Sequence, residues 1–142
     1  IKVVFSGRKE PLSDKVYKSM KSLEKETLNN TGGILNICLN YGGQTEIVDT
    51  TKKLINDVLD GKLKTEDITP EIFMKNLYND LPPMDFLIRT SGEIRVSNFM
   101  LFSLAYAEMY FPHTYFPDFK EDEFDKALEE YTKRDRRFGK NK

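Results

Sequence analysis

The chain has 142 residues, of which 39% are hydrophobic and 32% are charged, a composition typical of one globular domain with its own core. Its 22 basic and 23 acidic residues nearly cancel, so the molecule as a whole carries no charge that attracts nucleic acid. Cys38 is the only cysteine, which excludes an intrachain disulfide and favours a cytoplasmic location. No apolar run reaches the roughly 18 residues that span a bilayer, so we expect at most peripheral membrane contact.

The first residues form an apolar run, IKVVF, with no starting methionine and no polar lead-in. Removal of a disordered tail would account for such a start. A buried strand at residue 1 favours the loss of folded sequence instead, so we expect the N-terminal part of the domain to be missing from this chain.

Three short apolar runs lack the alternation of half-exposed strands, and they predict strands that are buried on both faces. These runs are residues 1–5, 34–39 and 84–88. Helices are predicted between them, and the alternation of strands and helices predicts an α/β fold with a parallel β-sheet flanked by helices.

The helices between the strands have recognisable boundaries. Ser13 is predicted to cap the first helix, and Gly61 is predicted to end the second. Their apolar stripes are Val16, Met20 and Leu23 in the first, and Ile47, Leu54, Ile55 and Val58 in the second. A short third helix is predicted to begin at Thr69-Pro70-Glu71, where a capping residue precedes a proline.

Two further helices are predicted after the third strand. Residues 97–111 are apolar almost all round, which predicts a helix buried on most sides. Residues 121–136 are amphipathic, with acids at the start and bases at the end, as the helix dipole favours. The apolar stripe of this last helix consists of Phe124, Ala127, Leu128 and Tyr131.

The carboxyl ends of the strands are the first places to search for a site, because open parallel sheets bind ligands there. The second strand is followed by Asn-Tyr-Gly-Gly at residues 40–43, whose backbone could meet an anion, although a plain turn is the favoured interpretation. The third strand is followed by RTSGEIRVS at residues 89–97, which places two arginines, three hydroxyls and a glycine in nine residues.

Arg89, Arg95 and Ser97 match the needs of a diphosphate, because guanidinium groups bind phosphate oxygens in pairs and a hydroxyl adds a neutral donor. Purely structural roles are also open for all three residues. Ser97 precedes the predicted buried helix and could be its N-cap. The two arginines could be ion-pair partners of Glu93.

Glu108 is a lone carboxylate among apolar neighbours and therefore needs a partner. An arginine would satisfy it, and so would a magnesium ion, which accepts one or two carboxylates together with waters and phosphate oxygens. With a diphosphate site proposed nearby, the metal is the more economical interpretation.

The basic C-terminal run at residues 133–140 lacks the interleaved aromatics of a nucleic-acid contact, and complementarity to the helix dipole accounts for it better. His113 and Cys38 have no partners at metal-ligand spacings, and we interpret both as packing or surface residues.

Four segments resemble, in order, the C-terminal signatures of the cis-prenyltransferase family, most closely its bacterial undecaprenyl diphosphate synthases. They are NICLNYGGQTEIV, DFLIRTSGEIRVSNFMLFSLAYAEMYF, FPDF and RDRRFG. The resemblance implies that residues 1–142 are the C-terminal part of a single cis-prenyltransferase domain. It also implies a magnesium-dependent transferase that condenses isopentenyl diphosphate with an allylic diphosphate such as farnesyl diphosphate. The product is a cis-polyprenyl diphosphate, the precursor of an undecaprenyl-type lipid carrier for the cell wall.

The resemblance also implies roles for individual residues. Isopentenyl diphosphate is expected to bind a set of loop residues, Arg89, Arg95, Val96 and Ser97. Glu108 is expected to bind Mg²⁺. The family is homodimeric, and Arg137 and Gly139 are expected to reach from one subunit into the other's site. This expectation supersedes the explanation of the basic tail by complementarity to the helix dipole.

One departure from the family is large. The N-terminal motif, with the catalytic aspartate beside the allylic diphosphate, has no counterpart in this sequence, so we expect that aspartate upstream of residue 1. The chain is then expected to keep only the isopentenyl diphosphate half-site and to be inactive alone. Two rivals remain: a non-catalytic partner subunit of a cis-prenyltransferase, and a phosphate-ester-binding α/β enzyme of another class.

Overall fold

The computed structural model describes residues 1–134. The chain divides into two compact units, Ile1–Leu81 and Pro82–Lys142. The expectation that both belong to one domain stays a prediction.

The first unit is built on a parallel pair of strands. Its elements are β1 (Lys2–Ser6), α1 (Asp14–Glu26), β2 (Ile34–Cys38), α2 (Gly43–Leu59), a 3₁₀ turn (Thr65–Asp67) and α3 (Pro70–Lys75). The strands are in register from Lys2 opposite Ile34 to Ser6 opposite Cys38. The buried apolar residues of this unit are Val3, Leu54 and Leu77.

The predicted helix boundaries of this unit are confirmed. Ser13 Oγ accepts a hydrogen bond from the Val16 amide at 3.4 Å, and Thr69 Oγ1 accepts one from the Ile72 amide at 3.3 Å. Each satisfies an amide that the first helical turn leaves without a partner. Gly61 follows the end of α2 with a φ of 70°, a conformation that glycine adopts without steric cost.

The prediction that all three strands are buried on both faces is wrong for β2. Ile34 is 55% exposed, and Leu35 is 50% exposed. In the described part of the chain β2 pairs with β1 alone, and α1 buries none of its own residues. An uninterrupted apolar run predicts a strand, but whether that strand is buried depends on which other segments pack against its faces.

The second unit holds a second parallel pair. Its elements are β3 (Phe86–Ile88), β4 (Glu108–Tyr110), a 3₁₀ turn (Phe116–Asp118) and α4 (Glu121–Thr132). Phe86 lies opposite Glu108, and Ile88 lies opposite Tyr110. Helix α4 buries Ala127 completely, and its Tyr131 ring packs against Phe86 with centroids 4.9 Å apart. The predicted α/β class with parallel strands and flanking helices is confirmed.

The predicted helix over residues 97–111 is wrong. Residues 97–106 form turns, and Glu108 begins strand β4. Ser97, Asn98 and Met100 have φ values of 45°, 63° and 41°, which a right-handed helix does not accommodate. The apolar pattern is correct about burial, since Ser103 and Leu104 are buried, but a short apolar run suits a strand as well as a helix.

None of the helices described between residues 1 and 134 is both long enough and apolar enough to cross a membrane.

Candidate functional site

The loop of residues 89–97 starts directly at the carboxyl end of β3. The Arg89 amide donates a hydrogen bond to the Tyr110 carbonyl at 3.0 Å, so the pairing with β4 continues one residue beyond the strand. The first arginine of the loop is therefore fixed by the sheet, at the edge where parallel sheets bind ligands.

The middle of this loop is held by the segment that follows β4. The Ser91 amide donates to the Thr114 carbonyl, and the Gly92 amide donates to the Pro112 carbonyl, both at 2.8 Å. Ser91 and Gly92 both have positive φ, at 70° and 68°, which turns the chain sharply between the two arginines. The spacing of the arginines thus depends on residues 112–114.

A contact between the two ends of the loop closes it. Arg89 Nη1 donates to the Arg95 carbonyl at 2.7 Å. The Arg95 guanidinium forms an ion pair with Glu93 and its side chain is 61% exposed. The pairing with Glu93, one of the two roles considered for the arginines, is therefore present for Arg95. Because this ion pair is exposed, the guanidinium remains accessible to a ligand.

Ser97 and Val96 complete the predicted set. Ser97 is exposed and stands at a turn, so its alternative role as the N-cap of a following helix does not arise. The Val96 carbonyl accepts a hydrogen bond from the Phe99 amide at 3.0 Å. Arg89, Arg95 and Ser97 thus lie on one short loop, in which Arg89 contacts the Arg95 carbonyl.

Glu108 lies on the same pair of strands but at their other end. It is the first residue of β4, and its amide donates to the Asp85 carbonyl at 3.0 Å. Tyr110, at the loop end of β4, lies two positions further along the strand, about 7 Å away at the usual rise per residue. Glu108 and the loop therefore belong to the same unit, and none of the hydrogen bonds described above joins them.

The partner of Glu108 in this structure is an arginine. Arg134 Nη1 donates to Glu108 Oε2 at 2.8 Å and to the Met109 carbonyl at 2.9 Å. The side chains are 34% exposed for Arg134 and 27% for Glu108, so the pair is partly solvated. The sequence named an arginine as one of two possible partners, but it did not identify Arg134.

The chemistry of Glu108 fits a metal that arrives with its ligand. Among residues 1–134, no cluster of three or more histidine, cysteine, aspartate or glutamate side chains forms a preformed cage. Magnesium commonly binds one or two protein carboxylates, and phosphate oxygens and waters supply its other ligands. One partly exposed carboxylate, such as Glu108, is the donor that such an ion requires of the protein.

Arg137 and Gly139, which the resemblance assigns to the same site, lie outside the described residues.

The first unit contains a polar network that the sequence did not reveal. Arg8 donates to both carboxylate oxygens of Asp49, at 2.8 and 2.6 Å, and Tyr78 Oη donates to Asp49 Oδ2 at 2.6 Å. The hydrogen bonds from Arg8 lower the pKa of Asp49 to about 2. Partial burial is the main cause that raises the pKa of Tyr78 to about 12, and the hydrogen bond to Asp49 is the second. The three residues are far apart in sequence, and no local motif connects them.

The turn at residues 40–43 belongs to this network. The Asn40 side chain donates to the Arg8 carbonyl at 2.9 Å, and buried Glu46 accepts hydrogen bonds from the Tyr41 hydroxyl and, at 3.1 Å, from the Tyr78 amide. A Cβ atom at Gly7 would stand 1.9 Å from the Leu39 carbonyl oxygen, so β1 and β2 end in close backbone contact. These contacts are of a structural kind, as expected for this turn.

Comparison with known sequences shows relatives that match nearly the whole chain. Residues 1–139 match a prenyltransferase family model described as putative undecaprenyl diphosphate synthase. An isoprenyl transferase of Fusobacterium nucleatum is 50% identical over 139 residues, which cover 98% of this chain and 58% of that protein. A farnesyl-diphosphate-specific ditrans,polycis-undecaprenyl-diphosphate synthase of Legionella pneumophila is 48% identical, with coverage of 98% and 59%.

Solved structures show the same fold. Lavandulyl diphosphate synthase from Lavandula x intermedia, in complex with dimethylallyl diphosphate, superposes with a TM-score of 0.88 at 34% identity, covering 97% of this chain and 61% of that one. A probable undecaprenyl diphosphate synthase from Campylobacter jejuni gives 0.84 at 31% identity, with coverage of 98% and 63%. The chain spans a little over half the length of the relatives it matches. It belongs to the prenyltransferase family of undecaprenyl diphosphate synthases.

Proposed function

We propose that this chain provides the isopentenyl diphosphate site of a cis-prenyltransferase. The whole protein would join isopentenyl diphosphate to an allylic diphosphate such as farnesyl diphosphate and form a cis-polyprenyl diphosphate. The observation that carries the proposal is the loop of residues 89–97, which presents Arg89, Arg95 and Ser97 at the carboxyl end of β3. The names of the relatives support the reaction class.

The loop would bind and orient the diphosphate. Arg89 is positioned by the sheet and by its bond to the Arg95 carbonyl, while the exposed Arg95 guanidinium can exchange its Glu93 partner for phosphate oxygens. Ser97 adds a neutral donor, and Val96 contributes the backbone between Arg95 and Ser97. Fixing the diphosphate places the five-carbon alkene for attack on the allylic carbon.

Glu108 is proposed to hold Mg²⁺ together with phosphate oxygens and water. The ion would neutralise negative charge on the diphosphate as the reaction proceeds. Arg137 and Gly139 are proposed to approach the same site from the second subunit of a homodimer, and the location proposed for the protein is the cytoplasm.

A catalytic aspartate is not assigned to this chain, because the family's motif that carries it has no counterpart in residues 1–142. We therefore propose that the chain alone binds isopentenyl diphosphate without condensing it. Incorporation of radiolabelled isopentenyl diphosphate into polyprenyl products by this chain alone would contradict the proposal.

The binding test is titration calorimetry with isopentenyl diphosphate in the presence of Mg²⁺, with ATP and Mg²⁺ as the competing ligand. Selective binding of isopentenyl diphosphate, weakened in Arg95→Ala and unchanged in Lys18→Ala, supports the proposal. Lys18 is an exposed cation of α1 in the first unit and controls for the change in net charge. Equal binding of ATP, or no loss in Arg95→Ala, would overturn it.

One observation favours a second candidate, the non-catalytic partner subunit. Glu108 is paired with Arg134 in this structure, and such a pair could be permanent in a chain that never binds metal. A chain of this kind would bind a catalytic subunit but would show no magnesium-dependent binding of isopentenyl diphosphate. The same titration therefore separates the two candidates. The third possibility, a phosphate-ester-binding enzyme of another class, is set aside because the chain belongs to the prenyltransferase family.

A further inference from the structure

The contact between Arg134 and Glu108 joins the end of α4 to the start of β4. Helix α4 ends at Thr132, and the Arg134 amide donates to the Tyr131 carbonyl at 3.2 Å, so the backbone of Arg134 still belongs to the last turn. Its side chain reaches 26 positions back along the sequence, to the carboxylate of Glu108 and the carbonyl of Met109.

This contact occupies the carboxylate to which the proposed function assigns Mg²⁺. A guanidinium at 2.8 Å from Oε2 occupies one side of the carboxylate and neutralises its charge, and two cations on one carboxylate repel each other. Arg134 and Mg²⁺ therefore compete for Glu108.

We propose that Arg134 is an exchangeable counterion of Glu108, displaced when Mg²⁺ binds together with a diphosphate. This inference rests on the proposed function of Glu108. While Arg134 pairs with Glu108, it neutralises the carboxylate and holds the end of α4 against β4. When the ion binds, Arg134 leaves both Glu108 and the Met109 carbonyl, so occupancy of the metal site is coupled to the position of the Arg134 side chain.

The solvation of the pair suits such an exchange. With about a third of the Arg134 side chain and a quarter of the Glu108 side chain exposed, water screens the attraction, and the pair is weak enough to be broken by a divalent ion. The neighbouring cation behaves differently: Lys133 Nζ pairs with Glu130 at 2.8 Å, three residues away on the same helix. Lys133 therefore offers a matched control with the same charge at the same helix end.

The first measurement is the Mg²⁺ concentration at half-saturation of isopentenyl diphosphate binding, obtained by equilibrium dialysis over a series of metal concentrations. Removal of a competing counterion in Arg134→Gln is expected to lower this concentration about two- to fivefold, the range of a partly exposed ion pair. Arg134→Lys is expected to behave like the wild-type chain because it keeps the charge, and Lys133→Gln is expected to leave the value unchanged.

The second measurement follows the guanidinium of Arg134 directly, by nitrogen NMR of the arginine side chains, with the signal assigned through its loss in Arg134→Gln. Addition of Mg²⁺ with isopentenyl diphosphate is expected to move this signal to the position of a solvated guanidinium. Glu108→Gln is expected to give the same position without metal.

The outcomes separate the inference from the proposed function. If Glu108→Gln leaves the magnesium dependence of binding unchanged, the metal role of Glu108 is wrong and the inference fails with it. If Glu108→Gln abolishes that dependence while Arg134→Gln binds Mg²⁺ as weakly as the wild-type chain or more weakly, only the inference is overturned. An Arg134 signal that does not move when metal and diphosphate bind would overturn it as well.

Discussion

Gly92 and His113 lie in direct contact within the second unit: a Cβ atom added to Gly92 would stand 2.6 Å from Nδ1 of His113. The Ser91 and Gly92 amides donate to the carbonyls of Thr114 and Pro112, the two neighbours of His113, so the imidazole lies on the turn that separates the two arginines of the loop. His113, which showed no metal-ligand spacing in the sequence, is part of the framework of the candidate site.

Gly92→Ala is expected to destabilise the loop for two reasons, the contact with His113 and a φ of 68° that alanine adopts at a cost of roughly 1–2 kcal/mol. We expect a fall in the free energy of unfolding of about that size and weaker binding of isopentenyl diphosphate. Urea denaturation and titration calorimetry measure the two effects.

The double variant Gly92→Ala/His113→Ala separates the two causes. Loss of the imidazole is expected to restore part of the stability, while the cost of the positive φ remains. Full restoration would show that backbone strain at position 92 is negligible.

Arg89→Ala and Arg95→Ala are expected to weaken binding of isopentenyl diphosphate by about ten- to a hundredfold each, the range for hydrogen bonds to a charged group. They should differ in stability, because Arg89 also closes the loop through the Arg95 carbonyl and the side chain of Arg95 is 61% exposed. A lowered thermal midpoint is therefore expected for Arg89→Ala only. Equal midpoints for the two variants would contradict the structural role of Arg89.

The lowered pKa of Asp49 predicts that the free energy of unfolding decreases at acid pH. Its pKa in the folded chain is about 2, below the value of an unfolded aspartate near 3.9, so the folded state favours the ionised form. The stabilisation is complete above the unfolded pKa and is lost as the pH falls from about 4 to about 2.

Asp49→Asn is expected to lower stability by on the order of 1 kcal/mol at neutral pH, after allowance for solvent screening of the Arg8 contact. The difference from the wild-type chain should shrink below pH 4, and urea denaturation at several pH values measures it. A difference that is the same at pH 7 and pH 2.5 would mean that ionisation of Asp49 does not contribute.

Leu54 and Ile55 test the packing of α2 as a matched pair. Leu54 is 3% exposed and Ile55 is 53% exposed, although both belong to the predicted apolar stripe. Leu54→Ala is expected to lower the free energy of unfolding by about 2–5 kcal/mol, because it leaves a cavity. Ile55→Ala is expected to change it by about 0.5 kcal/mol or less. Similar losses for both would indicate that Ile55 is covered in solution.

The helix boundaries could be predicted because their signals are local. Ser13, Thr69 and Gly61 act on amides and carbonyls within a few residues of themselves, and each holds the position that the sequence indicates. The loop of residues 89–97 was predictable for a similar reason, since its donors are neighbours in the chain and the preceding strand fixes where they lie.

The failures involve partners from distant segments. The exposure of β2 depends on which segments cover it, and the apolar run at residues 97–111 could not distinguish a buried helix from turns followed by a strand. The assignments of Arg137 and Gly139 stay predictions, because these residues lie outside the described part of the chain.

The sequence by itself determined the parallel α/β class, the helix caps and the donor-rich loop after β3, because each depends on residue types at short spacing. Only the tertiary structure decided that Arg8, Asp49 and Tyr78 form one network, that His113 lies on Gly92, and that Arg134 is the partner of Glu108. The physical reason is that an isolated carboxylate shows its need for a cation in the sequence, but the cation that meets this need is chosen by how strands and helices bring distant residues together.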